Sequence, residues 1–216
     1  MSMERKEAIE RINSLVGKNL HELASQYDIT VVNPLTGKVN KGWAGHVIER
    51  CLGLPLNSAQ SPNFGSWELK SVPIKLSRKG IPSLKETMAI TKIDAYNVRE
   101  KPFEESHLLS KLKKAVVVAR TVGATYSEPS YIYDVIEFDL EHDEMFYNQV
   151  KADYELVRQI LLQNPTDEGL QHLSGKMGVL IQPRTKGPGH GSISRAFYAR
   201  KAFLQKYIDL SKPWIS

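Results

Sequence analysis

The sequence predicts an α/β protein with a mixed central sheet flanked by helices. Segments in which apolar and polar residues alternate, such as WELKSVPIK and YIYDVIEFDLE, stand between segments whose apolar residues recur at helical spacing. The composition, 41% hydrophobic and 25% charged residues over 216 positions, is that of a globular chain that can bury one good-sized core.

Three helices are predicted before the first strand. Residues 3–15 carry apolar side chains at helical spacing, and Asn19 can cap a second short helix, LHELASQY. A third helix is predicted from Lys41 to Cys51, where a Gly-Leu-Pro sequence terminates it.

The remaining elements alternate between strands and helices. The predicted strands are WELKSVPIK, ETMAITKI, KKAVVVARTV, YIYDVIEFDLE, GVLIQPR and SRAFYA. The predicted helices are SHLLSKLK, the long amphipathic stretch from Asp143 to Gln163, and RKAFLQKYIDL. A glycine-rich loop, RTKGPGHGS, joins the last two strands.

Several protein classes are excluded by simple observations. The single Cys51 rules out an internal disulfide and a cysteine-based zinc site. No apolar run approaches the roughly 20 residues that a membrane helix needs, and the charged N-terminal segment lacks the apolar core of a signal peptide. We therefore expect a soluble intracellular protein without a membrane partner.

Charge is distributed unevenly along the chain, whose formal net charge is +5. Ten acidic residues stand against two basic ones between Asp134 and Gly169, and eight basic residues stand against one acidic residue between Lys176 and Ser216. The basic C-terminal region indicates either a surface that meets a polyanion such as nucleic acid, or a solvated basic face without a partner.

The triplet Glu68-Leu69-Lys70 is the first candidate for chemistry. On a strand, residues i and i+2 share a face, so Glu68 and Lys70 project together while Leu69 points into the core. A carboxylate that holds Mg²⁺ beside a lysine that positions water suits phosphodiester hydrolysis. The triplet alone is a weak signal, because such triplets are often surface strand pairs. The second carboxylate that this chemistry needs is replaced by Asn63, five residues upstream.

Three blocks of sequence give the triplet a context. The first is GKNLHELA with KGWAGHVIERCLG and SPNFGSWELKSVP, the second is EESHLLSKLKKAVVV, and the third is GVLIQPRTK with AFYARKAF. They resemble, in order, the MutH family of DNA endonucleases, which includes MutH-like type II restriction enzymes and is part of the PD-(D/E)XK nuclease superfamily. The resemblance spans most of residues 17–204.

The resemblance implies a restriction-endonuclease-like fold with two lobes around a DNA cleft. Residues 1–216 would form a single endonuclease domain, with an N-terminal catalytic lobe and a C-terminal basic DNA-reading lobe.

The resemblance also implies catalytic roles, for Glu49, Asn63, Glu68, Lys70 and Lys111. Position 63, Glu68 and the carbonyl of Leu69 would hold Mg²⁺, Lys70 would position the attacking water, and Glu49 and Lys111 would shape the pocket.

Contacts with double-stranded DNA are expected in the C-terminal region, where the resemblance gives weight to Tyr198, Gln182, Arg184 and Lys186. The glycine-rich loop with His190 is either a DNA contact or a flexible connection, and Lys41 either contacts a phosphate or is solvated. The full set of expected DNA-binding residues is Lys41, Gln182, Arg184, Lys186, His190, Arg195, Tyr198, Arg200 and Lys201.

Asn63 departs from the family, whose residue at this position is a metal-binding aspartate. Asparagine keeps the shape, removes one negative charge and offers an NH₂ donor in place of an acceptor oxygen, so Mg²⁺ affinity and cleavage should fall. The substitution is either deliberate, or natural with Glu49 taking over part of the metal binding, or the mark of a DNA-binding relic.

The resulting expectation is a Mg²⁺-dependent, sequence-specific double-strand DNA endonuclease of the bacterial cytoplasm, a monomer or a dimer. The short spacing from 63 to 68, the KGPGHG loop and Gln182, where repair members carry an arginine, favour a type II restriction enzyme. One alternative is a MutH-type mismatch-repair nicking endonuclease activated by MutL. Another is a DNA-binding protein without catalysis.

Overall fold

The computed structural model describes residues 3–53, 66–187 and 193–215. In these ranges the α-helices are α1 (Arg5–Asn13), α2 (Leu20–Gln26), α3 (Trp43–Cys51), α4 (Ala95–Glu100), α5 (His107–Leu112), α6 (Glu144–Gln163) and α7 (Lys201–Gln205). The strands are β1 (Glu68–Leu76), β2 (Pro82–Leu84), β3 (Met88–Lys92), β4 (Lys114–Thr121), β5 (Ile132–Asp139), β6 (Ile181–Thr185) and β7 (Arg195–Ala199).

The larger sheet has the strand order β2-β1-β4-β5 and is mixed. Strands β1 and β4 are parallel, with Glu68 opposite Ala115 and Pro73 opposite Arg120, whereas β2 and β5 are antiparallel to their neighbours. A parallel pair needs a crossover connection, and the chain between β1 and β4 supplies it with β2, β3, α4 and α5. The predicted mixed α/β class is confirmed.

The smaller sheet has the order β3-β7-β6 and is antiparallel throughout. Its register shifts between Ala89 and Thr91, so Ile90 is the extra residue of a β-bulge. The sequence predicts these strands individually but does not indicate that they form a sheet of their own.

Two hydrophobic clusters cover the two faces of the larger sheet. Leu69, Val116 and Val118 face the N-terminal helices α1 to α3, while Val72 and Val117 face the smaller sheet and helices α4 to α6. Because strand side chains alternate, Glu68 and Lys70 lie on the same face as Val72. Strand β4 is therefore buried on both faces, which explains its continuous apolar run.

Asp153, in the middle of α6, fixes the start of β6. This side chain is only 3% exposed, and its carboxylate accepts the backbone N–H groups of Val179, Leu180 and Ile181 at 2.7–2.8 Å. Gly178 precedes them with a φ of 72°, in the left-handed region that favours glycine. A Cβ atom at this position would overlap the carbonyl oxygen of Ile181.

Most predicted elements are confirmed, with boundaries that shift by no more than three residues except at the end of the last helix. The third helix begins at Trp43 rather than Lys41, and the last helix ends at Gln205 rather than continuing to Leu210. Strand β2 and helix α4 were not predicted from the sequence. Among the described residues, no helix has both the length and the apolar character needed to cross a bilayer.

Candidate active site

The predicted catalytic residues Glu68, Lys70 and Lys111 come together at the start of the larger sheet. Glu68 is the first residue of β1, and Lys111 lies in the last turn of α5, which leads directly into β4. Because β1 and β4 are adjacent and parallel, both segments arrive at the same edge. Ser106 fixes the start of α5, since its hydroxyl oxygen accepts the Leu109 N–H at 3.1 Å.

Glu68 is a buried carboxylate that binds two ammonium groups. It is 1% exposed. The Nζ atom of Lys70 lies 2.7 Å from Oε1 of Glu68, and Nζ of Lys111 donates to both carboxylate oxygens, at 3.2 and 3.0 Å. The structure thus brings three of the predicted catalytic side chains into direct contact.

Burial perturbs the electrostatics of Lys111. This lysine is 5% exposed, and its desolvation lowers its pKa below the usual range, an effect that the nearby Lys70 ammonium group reinforces. The Glu68 carboxylate acts in the opposite direction but does not compensate fully. A lysine whose pKa is lowered by burial beside a like charge is typical of functional sites, although structural ion pairs share this property.

Lys70 connects this site to the smaller sheet. Its Nζ atom donates to the backbone carbonyl of Ile90 at 3.3 Å. Ile90 is the bulged residue of β3, and a bulge leaves the extra residue outside the ladder. The carbonyl of Ile90 can therefore accept a side-chain donor.

The other residues predicted to be catalytic or metal-binding are Glu49, Leu69 and Asn63. Glu49 is buried on α3, at 8% exposure, and this helix packs on the Leu69 face of β1. Its approach to Glu68 stays a prediction. The side chain of Leu69 points into the core, as predicted. Asn63 lies outside the described residues.

The donors present suit a hard cation, but they do not complete a site. Among the described residues there is no group of three or more His, Cys, Asp or Glu side chains that could hold a metal ion. The carboxylate of Glu68 and the carbonyl of Leu69 offer the oxygen ligands that Mg²⁺ prefers. A further ligand would have to come from position 63 or from Glu49.

Three of the expected DNA-binding residues, Gln182, Arg184 and Tyr198, lie together on the smaller sheet. Gln182 is directly opposite Tyr198 in the β6–β7 pair and is 6% exposed. The Arg184 guanidinium lies 5.6 Å from the centre of the Tyr198 ring, and its Nη1 donates to the hydroxyl of Thr87 at 2.8 Å. Sequence reasoning missed Thr87, because its role depends on the pairing of distant strands.

The remaining expected DNA contacts are spread over the surface. Arg200 donates to the carbonyls of Gly175, Met177 and Gly178 at 2.9–3.1 Å and stabilises that loop. Arg195 donates to three backbone carbonyls, those of Leu173, Ile193 and Ser194.

Three further members of this set are exposed: Lys41, Lys186 and Lys201. His190 lies outside the described residues. Contact of these residues with DNA stays a prediction.

Comparisons with known proteins show which family the chain resembles. Residues 52–149, which include Glu68, Lys70 and Lys111, match the family model described as "DNA mismatch repair enzyme MutH". The DNA mismatch repair protein MutH of Haemophilus ducreyi is 28% identical over an alignment of 228 positions that covers 95% of each chain. The chain is similar to MutH proteins.

Two further relatives of this MutH-like chain carry the same name. The DNA mismatch repair protein MutH of Vibrio vulnificus is 25% identical over 195 residues, which cover 88% of this chain and 80% of the relative. That of Vibrio campbellii is 33% identical over 114 residues, covering 52% and 48%. The resemblance to the MutH family within the PD-(D/E)XK superfamily is confirmed, and with it the restriction-endonuclease-like fold. The names support the repair alternative over the restriction enzyme that the sequence favoured.

Proposed function

We propose that this MutH-like chain is a metal-dependent DNA endonuclease that nicks double-stranded DNA in mismatch repair, with Glu68 at its catalytic centre. The names of its relatives support DNA mismatch repair as the process. We further propose a partnership with MutL and a location in the bacterial cytoplasm. A type II restriction enzyme remains the second candidate. The spacing between residues 63 and 68 is shorter than in the mismatch-repair members of the family, and Gln182 stands where those members carry an arginine.

One observation carries the proposal. The Glu68 carboxylate, which is 1% exposed, holds two lysine ammonium groups within 3.2 Å. It lies at one end of the larger sheet, whose opposite face packs in the N-terminal hydrophobic cluster. A buried ion cluster of this kind is weak evidence for stability, since apolar residues often stabilise a core as well or better. Its occurrence at the motif residues therefore supports a catalytic role.

The residues present can perform separate parts of phosphodiester hydrolysis. Lys70, held 2.7 Å from Glu68, is the group that would orient the attacking water. Lys111 would place a positive charge beside the phosphoryl oxygens as negative charge develops on them. A divalent cation, which we propose to be Mg²⁺ held by Glu68, the Leu69 carbonyl and position 63, would supply further charge stabilisation.

The smaller sheet is the proposed reading surface for DNA. Gln182, Arg184 and Tyr198 form a cluster there, and β3 links it to Lys70. Both hydrophobic clusters share the strands of the larger sheet, which supports residues 1–216 as a single endonuclease domain.

Asn63 is proposed to make this chain a weak nuclease. An amide in place of a carboxylate removes one negative charge from the metal-binding set. The Asn63→Asp protein should therefore cleave much faster than the chain with Asn63.

The test compares three proteins on supercoiled plasmid with Mg²⁺: the chain itself, Asn63→Asp, and Asn63→Asp combined with Glu68→Gln. The double variant keeps the restored carboxylate and removes only the charge of Glu68. Cleavage by Asn63→Asp that disappears in the double variant supports the proposal. Equal cleavage by all three proteins would indicate a contaminating nuclease.

Addition of MutL separates the two endonuclease roles. Nicked circles that accumulate only with MutL support mismatch repair, whereas discrete linear fragments formed without MutL support restriction. If Asn63→Asp binds DNA but cuts it under neither condition, with Mg²⁺ or Mn²⁺, the endonuclease proposal is wrong and the chain is a DNA-binding protein.

A further inference from the structure

A cleft of about 200 Å³ lies on the Leu69 face of the larger sheet, at the end opposite Glu68. Helix α2, the segment before α3, and the loop between β4 and β5 form its walls, with His21, Lys41 and Trp43 on one side. Arg120 lies in the cleft and is the register partner of Pro73. This pair is five residues along the strands from the Glu68–Ala115 pair, a distance of about 16 Å.

The Arg120 guanidinium has few hydrogen-bond partners among the described residues for a buried charged group. Nη1 donates to the hydroxyl of Ser130 at 3.2 Å, and the guanidinium lies 5.1 Å from the centre of the Trp43 ring. Its Nε atom is buried, and no described residue accepts its hydrogen. Among the described residues, no carboxylate lies within ion-pair distance of it. A buried guanidinium with an unused donor and no counter-ion requires an explanation, since buried polar groups are normally paired.

The acidic residues that line the cleft do not act as counter-ions for the Arg120 guanidinium. Glu128 accepts the Thr125 N–H at 2.9 Å and the Thr125 hydroxyl at 3.1 Å, so its carboxylate is held within its own turn. Glu86 attracts the guanidinium only at longer range. Burial lowers the pKa of Arg120 to about 10, which leaves it fully charged near neutral pH.

Other groups around Arg120 also favour an anion. Lys41 and Lys85 line the same cleft, so three cations face two carboxylates. Burial and the neighbouring Arg120 lower the pKa of His21, so its neutral ring keeps one N–H donor.

We propose that this cleft binds a phosphate oxyanion, with the Arg120 guanidinium as its anchor and the Lys41 and Lys85 ammonium groups at its rim. A planar guanidinium binds two phosphate oxygens at once, and the unused Nε supplies one of the two donors. The phosphate is either a backbone phosphate of bound DNA or a free phosphate ion. The inference does not depend on the proposed nuclease function, because binding requires neither cleavage nor a metal.

The experiment follows the Arg120 Nε–H resonance of the ¹⁵N-labelled full chain by NMR during titration with sodium phosphate. Sodium chloride at matched ionic strength is the reference titration. We expect a saturable shift of this resonance with phosphate alone, assigned by its absence from the Arg120→Gln spectrum. No saturable shift in the unmodified chain would overturn the proposal, whatever the variants do.

Calorimetry of variants measures the contribution of the guanidinium. Arg120→Gln should weaken phosphate binding about tenfold or more, as expected for the loss of charge-assisted hydrogen bonds. Arg120→Lys should keep both the positive charge and the folded structure, but it should bind phosphate more weakly than the unmodified chain. Arg11→Gln, which makes the same charge change at an exposed position on α1, should bind phosphate normally. Equal binding by Arg120→Gln and the unmodified chain would contradict the proposal.

A DNA arm separates the two sources of phosphate. A duplex without terminal phosphates that shifts the same resonance, and that phosphate displaces, identifies the DNA backbone. A shift with phosphate and none with the duplex identifies a free phosphate site. Either result can be obtained with a chain that does not cut DNA, so failure here and failure of the nuclease proposal are distinguishable.

Discussion

Asp153→Asn should destabilise the protein strongly, although the two side chains have the same shape. The Asp153 carboxylate accepts hydrogens from the backbone of Val179, Leu180 and Ile181 and from the side chain of Gln149. Each carboxylate oxygen accepts two of these four hydrogens. An amide NH₂ in place of either oxygen leaves two donors without an acceptor. At about 1.5–3 kcal/mol for each hydrogen bond to a charged group, the loss should be about 3–6 kcal/mol.

Urea unfolding monitored by circular dichroism measures this loss as a change in the free energy of unfolding. Glu155→Gln is the matched control, because it removes the same charge from the same helix. Its carboxylate forms only a partly exposed pair with Arg158 at 3.4 Å, so the change should stay below about 1 kcal/mol. A loss below about 1 kcal/mol for Asp153→Asn would refute the reasoning that this carboxylate organises the start of β6.

Three further changes test other parts of the structure. Tyr154→Phe removes a hydroxyl that donates to the carbonyl of Lys101 at 2.9 Å and should cost about 1 kcal/mol at neutral pH. Burial raises the pKa of Tyr154 to about 12. The tyrosine therefore ionises at a lower pH in the unfolded chain than in the folded one. As pH rises from about 10 towards 12, the unmodified chain should lose its excess free energy of unfolding over Tyr154→Phe. Urea unfolding at several pH values measures this difference. Thr87→Val removes the acceptor of Arg184 and should weaken duplex binding about fivefold in a fluorescence anisotropy titration, whereas Thr87→Ser should not. Gly178→Ala should lower stability by about 2 kcal/mol or more in thermal unfolding, because its φ is positive and its Cβ would overlap a carbonyl oxygen.

The long elements could be predicted because their hydrophobic patterns are strong. The alternation in β1 and the apolar run of β4 identify both strands, and α6 has five turns of consistent amphipathic pattern. Strand β2 has three residues and α4 has six, which is too short for either period to be recognised. The Asp94 side chain, which accepts the Asn97 N–H at 3.1 Å, is the local signal that could have revealed α4.

Tertiary contacts override local preference at the C-terminus. The helical pattern of RKAFLQKYIDL continues to Leu210, but α7 ends at Gln205. Lys206 and the Tyr207 hydroxyl both bind the carboxylate of Asp143, and Ile208 is buried in the main core. These contacts require a turn rather than a continued helix, and no local signal in the sequence encodes them.

The candidate site was predictable in part. Period-two alternation places Glu68 and Lys70 on one face, and this holds in the structure. The approach of Lys111 depends on the parallel pairing of β1 with β4, which only the family resemblance implied. Arg120 could not be singled out, because its cleft is built from segments that lie far apart in the sequence.

The hydrogen bond from Lys70 to Ile90 has a consequence for the proposed nuclease. Ile90 follows Ala89, which pairs with Tyr198 of β7. The Lys70–Ile90 distance is 3.3 Å, so a displacement of β3 by less than about 1 Å would take it beyond hydrogen-bonding range. If the smaller sheet binds DNA as proposed, a duplex that displaces β3 would break this hydrogen bond and free the Lys70 ammonium group to contact the water. A duplex that leaves β3 in place would leave Lys70 bound to the Ile90 carbonyl.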